Sequence, residues 1–237
     1  MTTRTKRRPS PRPPARRAAT ARAASGHYTR ILDAAERLCG EHGLEAVSVR
    51  AIAAAAKVNL AAINYYFGSR QNLLVSIFHA RSAEIEAERE ALLAPLLGAP
   101  HPELRPILRA MLLPLARWRD PRSPRRPALQ FLCRALTAAD LKMRDEVDAG
   151  VSKFRHVIPA LQRSLPHLSF EEVCWRFHFM MSIEHMNPWD VERLGVLSEG
   201  RCSPPGFEEA LERAIDFAEA GFRAPARFDV ARSVAGR

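Results

Sequence analysis

An all-α fold is what this sequence predicts, and three observations predict it. Apolar residues recur at helical spacing from Tyr28 almost to the end of the chain. Short segments are bracketed by capping residues and glycines: Ser48, Asn59 and Ser69 at starts, Gly43 and Gly68 at stops. No stretch alternates β-branched and polar residues over the length of a strand.

The elements follow in order. Ile31, Ala35, Leu38, Cys39 and His42 share one face of a first helix that Gly43 ends. Ser48 caps a short second helix with a stripe of Val49, Ile52, Ala53 and Ala56. Asn59 caps an equally short third, in which Ile63 and Phe67 point inward and Gly68 closes. Ser69 starts a long fourth helix over about 70–97. A proline-interrupted apolar helix, "HPELRPILRAMLLPLARW", follows, with a kink expected at Pro114. "RDPRSPRRP" (119–127) cannot be regular and reads as an exposed loop. Residues 128–138 and 140–164 read as two helices, and Ser169 caps another, "FEEVCWRFHFMMSIEHM" (170–186). After an irregular connection, 207–222 forms the last, with Phe207, Leu211, Ala214, Ile215, Ala218 and Phe222 on one stripe.

The net charge of +10 is a property of one end. Residues 1–26 hold eight basic residues and no acid, which leaves 28 basic against 26 acidic residues in the rest. This tail, rich in Arg, Pro, Ala and Ser, has little to bury and reads as disordered. It fits a solvated terminus, or an arm that adds phosphate contacts; its prolines spoil the amphipathic helix of a transit peptide. The four cysteines lack C-x-x-C or zinc spacing, as expected of inert thiols in a reduced, cytoplasmic protein. No apolar run approaches a membrane span.

Two short capped helices joined by a tight turn, the second with a polar outer face, describe a helix-turn-helix. In "NLAAINYYFGSR" (59–70), Leu60, Ala61 and Ala62 permit close approach and contact with thymine methyls. Asn64 can pair bidentately with adenine. Tyr65 and Tyr66 can bond phosphate through their hydroxyls, and Arg70 can reach the backbone.

Residues 28–75, with "ILDAAERLCGEHG", "SVRAIAAAAKV" and "NLAAINYYFGSRQNLL" in succession, resemble the DNA-binding domain of the TetR family of transcription regulators. The resemblance implies a dimer, a three-helix head, and a larger helical body that binds a small ligand or the partner subunit. By position it implies base-facing slots at Arg50, Leu60, Ala61, Ala62, Asn64 and Tyr65, and phosphate slots at Ser48, Tyr66 and Arg70. Two positions depart from the family pattern. Lys57 stands where the turn usually has Gly, at a cost of about 1 kcal/mol if φ is positive there, although its charge could reach a phosphate. Asn64 fills a slot that often holds Tyr. The expected division is a tail over 1–26, a head over 27–72, a body over 73–225 and a C-terminal tail over 226–237.

"WRFHFMMSIEHM" followed by "LSEGRCSPPGFEEALERAIDFAEAGFRAP" resembles the body of one TetR subgroup, in which the last two long helices form a four-helix dimer interface. The helix over 171–187 is apolar nearly all round and so should be covered on most faces. His178 and His185, with Trp175, Met181 and Ser182, are candidates for reading a ligand; a satisfied core or interface role is the alternative. A third ligand at helical spacing is absent, so no metal is expected. No Gly-rich phosphate loop, G-x-S-x-G or H-E-x-x-H appears, which argues against an enzyme. The expectation is a homodimeric regulator of double-stranded operator DNA, a repressor released by a small-molecule effector, without a cofactor. A ligand-independent architectural DNA binder and an all-α DNA-acting enzyme fragment are the other readings.

Overall fold

The computed structural model describes residues 14–136, 141–185, 191–202 and 206–226. Eleven α-helices are seen among the described residues, and no strand. The head is α1 (Pro14–His42), α2 (Val49–Ala56) and α3 (Leu60–Phe67). The body is α4 (Arg70–Leu97), α5 (Leu104–Trp118), α6 (Arg126–Leu136), α7 (Leu141–Val151), α8 (Ile158–Ser164), α9 (Phe170–His185), α10 (Val191–Leu197) and α11 (Phe207–Arg223).

Helix α1 starts at Pro14, so residues 14–26 are helical rather than disordered as expected; residues 1–13 lie outside the described residues. Proline is pre-organised for the first turn, and the Ala- and Arg-rich run behind it has high helix propensity. A second difference falls in 140–164. Periodicity predicts one helix there, and α7, a 3-10 segment (Ser152–Val157) and α8 are found. Pro159 sits in the first turn of α8, where its missing N–H is harmless, but it could not continue a helix arriving from α7. The connection after α9 carries a helix of its own, α10.

Two apolar clusters organise the chain. One joins the head to the first half of α4, to α6 and to Met143 of α7, around Ile31, Ile52, Ile63, Leu73, Ile77 and Phe131. The other joins the far part of α4 to α5, α8, α9 and α11, around Leu93, Ile107, Met111, Leu161 and Phe222. Helix α4 therefore belongs to both. The α11 stripe is absorbed here: Leu211 and Ile215 are fully buried against the protomer's own helices. The dimer contact expected of the last two long helices therefore does not use this stripe, because α5 already covers it.

Arg81 of α4 pins the head to the body. It is buried and bonds Glu36 of α1, with further ion pairs to Asp33 at 3.1 Å and Glu84 at 2.5 Å. Burial pushes the Glu36 carboxyl above its usual range, and the Arg81 hydrogen bond and charge pull it partly back. Arg81→Met is expected to cost about 3–5 kcal/mol, because Glu36 is left buried without its cation. A carboxyl whose pKa is raised on folding stabilises most at acid pH and loses that contribution as pH rises through the folded value. Urea unfolding should therefore show the Arg81→Met loss shrinking as the pH is lowered; an equal loss at every pH would contradict this account.

Candidate nucleic-acid interface and effector cavity

Local chemistry builds the helix-turn-helix. The Ser48 hydroxyl accepts from the Ala51 N–H at 3.1 Å and the Asn59 carboxamide from the Ala61 N–H at 2.9 Å, so each short helix has a side-chain N-cap. Between them Lys57 lies in the left-handed region (φ 54°, ψ 48°), with its N–H turned back on Ala53 and Ala54. A lysine there costs about 1 kcal/mol against glycine. Gly68 closes α3 at φ 71°.

Helix α3 is held from one side. Ile63 and Phe67 are buried, and Tyr28 of α1 stacks on Phe67 with ring centroids 5.0 Å apart. The opposite side carries Leu60, Ala61, Asn64 and Tyr65, all exposed, Tyr65 by 83%. Ala62 and Tyr66 are half-buried and pack against the head core, so these two are less open than expected. Tyr66 meets Tyr28 and Tyr65 edge-on, at 6.0 and 5.1 Å. Ser48, Arg50 and Lys57 are exposed on the same head. The Ser48 oxygen serves the cap, but its hydroxyl proton is still available to donate.

Arg70 behaves differently from the phosphate contact expected of it. Its Nε donates to the Val47 carbonyl at 3.0 Å and its Nη2 donates to the Leu44 carbonyl. The guanidinium thus ties the loop before α2 to the start of α4. One residue was missed: Asn72 of α4 donates through Nδ2 to the Phe67 carbonyl at 2.9 Å, capping the C-terminus of α3. A second hydrogen bond ties Asn72 to α7, where Lys142 Nζ donates to Asn72 Oδ1 at 2.7 Å.

Below the head, α4, α5, α6, α7, α9 and the 3-10 segment enclose a cavity of about 130 Å³. Its walls include Phe78, Ile85, Leu129, Leu132, Val147, Phe154 and Met181, with Ser82, Cys133 and the buried Arg89 among them. Arg89 donates through Nε to the Met111 carbonyl at 3.1 Å and lies 4.9 Å from the Phe154 ring centre. Two partly exposed polar contacts, His79 with Glu146 at 3.0 Å and the ion pair of Lys153 with Glu86 at 2.7 Å, mark the rim. Burial pushes the Cys133 thiol up.

Of the four ligand candidates whose side chains are described, Met181 lines this space. Trp175 and His178 point outward, Trp175 being 52% exposed and stacked on the exposed Phe179 at 5.8 Å. Ser182 donates to the His178 carbonyl, and the His185 side chain lies outside the described residues. Within the protomer one face of this helix packs inward and the other is an open aromatic strip. Arg81, Ile85, Arg89 and Leu93 recur every fourth residue of α4, a stripe that buries two arginines, and of these four Ile85 and Arg89 line the cavity.

Residues 31–77 match the family described as bacterial regulatory proteins, tetR family, and residues 109–221 match the tetracyclin repressor-like C-terminal domain. The chain belongs to the TetR family. It is accordingly a DNA-binding transcription regulator and not an enzyme. Solved structures share the fold of this TetR regulator. One is a TetR family regulator from Marinobacter aquaeolei, 17% identical, with 85% of this chain and 97% of that one covered and a TM-score of 0.60. Another is PfmR from Thermus thermophilus, 20% identical, with 84% and 100% covered and a TM-score of 0.56. A third, from Saccharomonospora viridis and solved in complex with choline, is 19% identical, with 82% and 96% covered and a TM-score of 0.54. No curated protein matches this chain significantly. Among the described residues, no helix is long and apolar enough to cross a membrane.

Asn64→Ala is expected to cost about 1–3 kcal/mol of discrimination at one base position in each half-site. Affinity for unrelated DNA should stay the same. Binding to a set of single-base operator variants measures this, and a uniform loss across all sequences would show that Asn64 does not read a base.

Proposed function

We propose that this TetR regulator is a homodimeric repressor whose operator affinity falls when a small molecule enters the cavity beneath the head. The observation that carries the reading is the shared wall: α4 and α6 line the cavity with one set of residues and pack against α1 with another. A molecule that binds one arrangement of those helices better than another changes operator affinity to the extent that the arrangements hold the head differently. An apolar lining with a few polar groups suits a small organic effector. The choline in the Saccharomonospora viridis protein is a molecule of that scale, held by a protein of similar fold.

In this reading the head (27–72) presents Leu60, Ala61 and Asn64 to base edges in the major groove, with Arg50 and Tyr65 beside them. Ser48 and Lys57 serve the phosphates, and the body (73–225) carries the cavity and the dimer contact. The open aromatic strip supports a symmetric contact through the outer faces of α9 and α11. Phe170, Trp175 and Phe179 are exposed on α9, and Phe217 is 71% exposed on α11. Arg176 locks the two helices together by donating to the carbonyls of Gly221, Phe222 and Ala224. Aromatic residues at this density on one face are characteristic of interface cores.

A mobility shift with operator DNA tests the repressor reading. Release by the low-molecular-mass fraction of a cell extract is expected, and binding that no fraction alters would favour the architectural reading. The dimer has its own test. Trp175→Asp with Phe217→Asp should give folded monomers by sedimentation, with operator binding weakened at least tenfold. A double variant that remains dimeric would remove α9 and α11 as the contact.

A further inference from the structure

We propose that Arg134 and Lys142 are positioning residues for DNA binding. Each sits on a helix that walls the cavity, and each holds the C-terminal end of a head helix. The inference rests on reading the cavity as the effector site.

Helix α6 has two working faces. Leu129, Leu132 and Cys133 line the cavity. The other face lies directly on α1: a β-carbon at Gly40 would stand 2.9 Å from the Pro127 carbonyl oxygen and 3.3 Å from the Phe131 nitrogen, so only glycine allows this approach. Arg134 completes the clamp, donating through Nε to the Gly40 carbonyl at 2.9 Å and through Nη2 to the Glu41 carbonyl at 3.2 Å. These carbonyls belong to the last turn of α1, which lacks intrahelical partners and carries the negative end of the helix dipole.

Helix α7 repeats the arrangement. Glu146, Val147 and Gly150 line the cavity, and Lys142, one turn earlier, donates to Asn72, which donates in turn to the last carbonyl of α3. A molecule that pushes α6 or α7 outward therefore carries a cation and the head-helix end attached to it. Shifts of about 1–2 Å are typical of such transitions. Arg134 bears the larger share. It donates to two carbonyls and is backed by the Gly40 contact, whereas Lys142 reaches its head helix through one exposed bond to Asn72.

The test builds the occupant into the protein. Ser82→Phe places a ring in the cavity from α4, and affinity is read by anisotropy on an operator selected by the wild-type protein. Ser82→Phe alone should weaken binding at least tenfold. In an Arg134→Ala, Lys142→Ala background the same substitution should weaken it less than threefold, and Arg134→Lys should restore much of the response. Arg117→Ala, which removes another body arginine, should leave the tenfold effect intact. An equal loss in both backgrounds would overturn the inference while leaving the effector cavity standing. A folded Ser82→Phe protein with unchanged operator affinity would overturn both. If Ser82→Phe fails to fold by circular dichroism, Cys133→Phe fills the space from α6 and the same comparisons apply.

Discussion

An eight-residue helix does not hold itself together in water, and α3 is eight residues long. The cost of nucleating a helix makes a segment this short marginal even with favourable residues. The rest of the head exists to impose that helix. Ile63 and Phe67 give it a buried anchor, each side chain contributing about 1.5–3 kcal/mol on burial. Asn59 satisfies its first donors and Asn72 its last acceptor. With both ends and one side fixed by neighbours, the remaining side is free to be polar and aromatic, as a surface for reading DNA requires.

The same dependence makes the helix sensitive to the body. Its C-terminal cap comes from α4, and the body bonds the head at separate points: Arg81 on Glu36, Arg134 on the end of α1, and Lys142 through Asn72. The cavity lies among the helices that supply those residues. In the proposed dimer such a device can be weak at each contact and still act, because tilting two heads relative to one another would alter both half-site contacts together.

Much of the head was legible because its signals are local. Ser48, Asn59, Ser69, Gly43 and Gly68 each act within a few residues, and the helices they bound lie where the spacing put them. Lys57 stood out because glycine was the expected residue, and its backbone is left-handed. What escaped depends on distance in space. Arg70 looked like a phosphate ligand because nothing in its neighbourhood reveals that its partners are the carbonyls of Leu44 and Val47. The α11 stripe was apolar for a good reason, but periodicity cannot say whether a stripe meets its own chain or another copy. The cavity draws its walls from six separate segments, so no motif announces it. His178 and Trp175 drew notice as unusual residues and are found on the outer face.

The most direct measurement is selection of bound sequences from a random DNA pool by the purified full-length protein. Two copies of α3 related by a two-fold axis should enrich an inverted repeat whose half-sites lie a whole number of helical turns apart, about 34–36 Å for one turn. Base preferences should be concentrated at the few positions that Asn64 and its exposed neighbours reach. Enrichment without an inverted repeat, or recovery of DNA with no sequence preference, would contradict the account of a symmetric regulator that reads bases through α3.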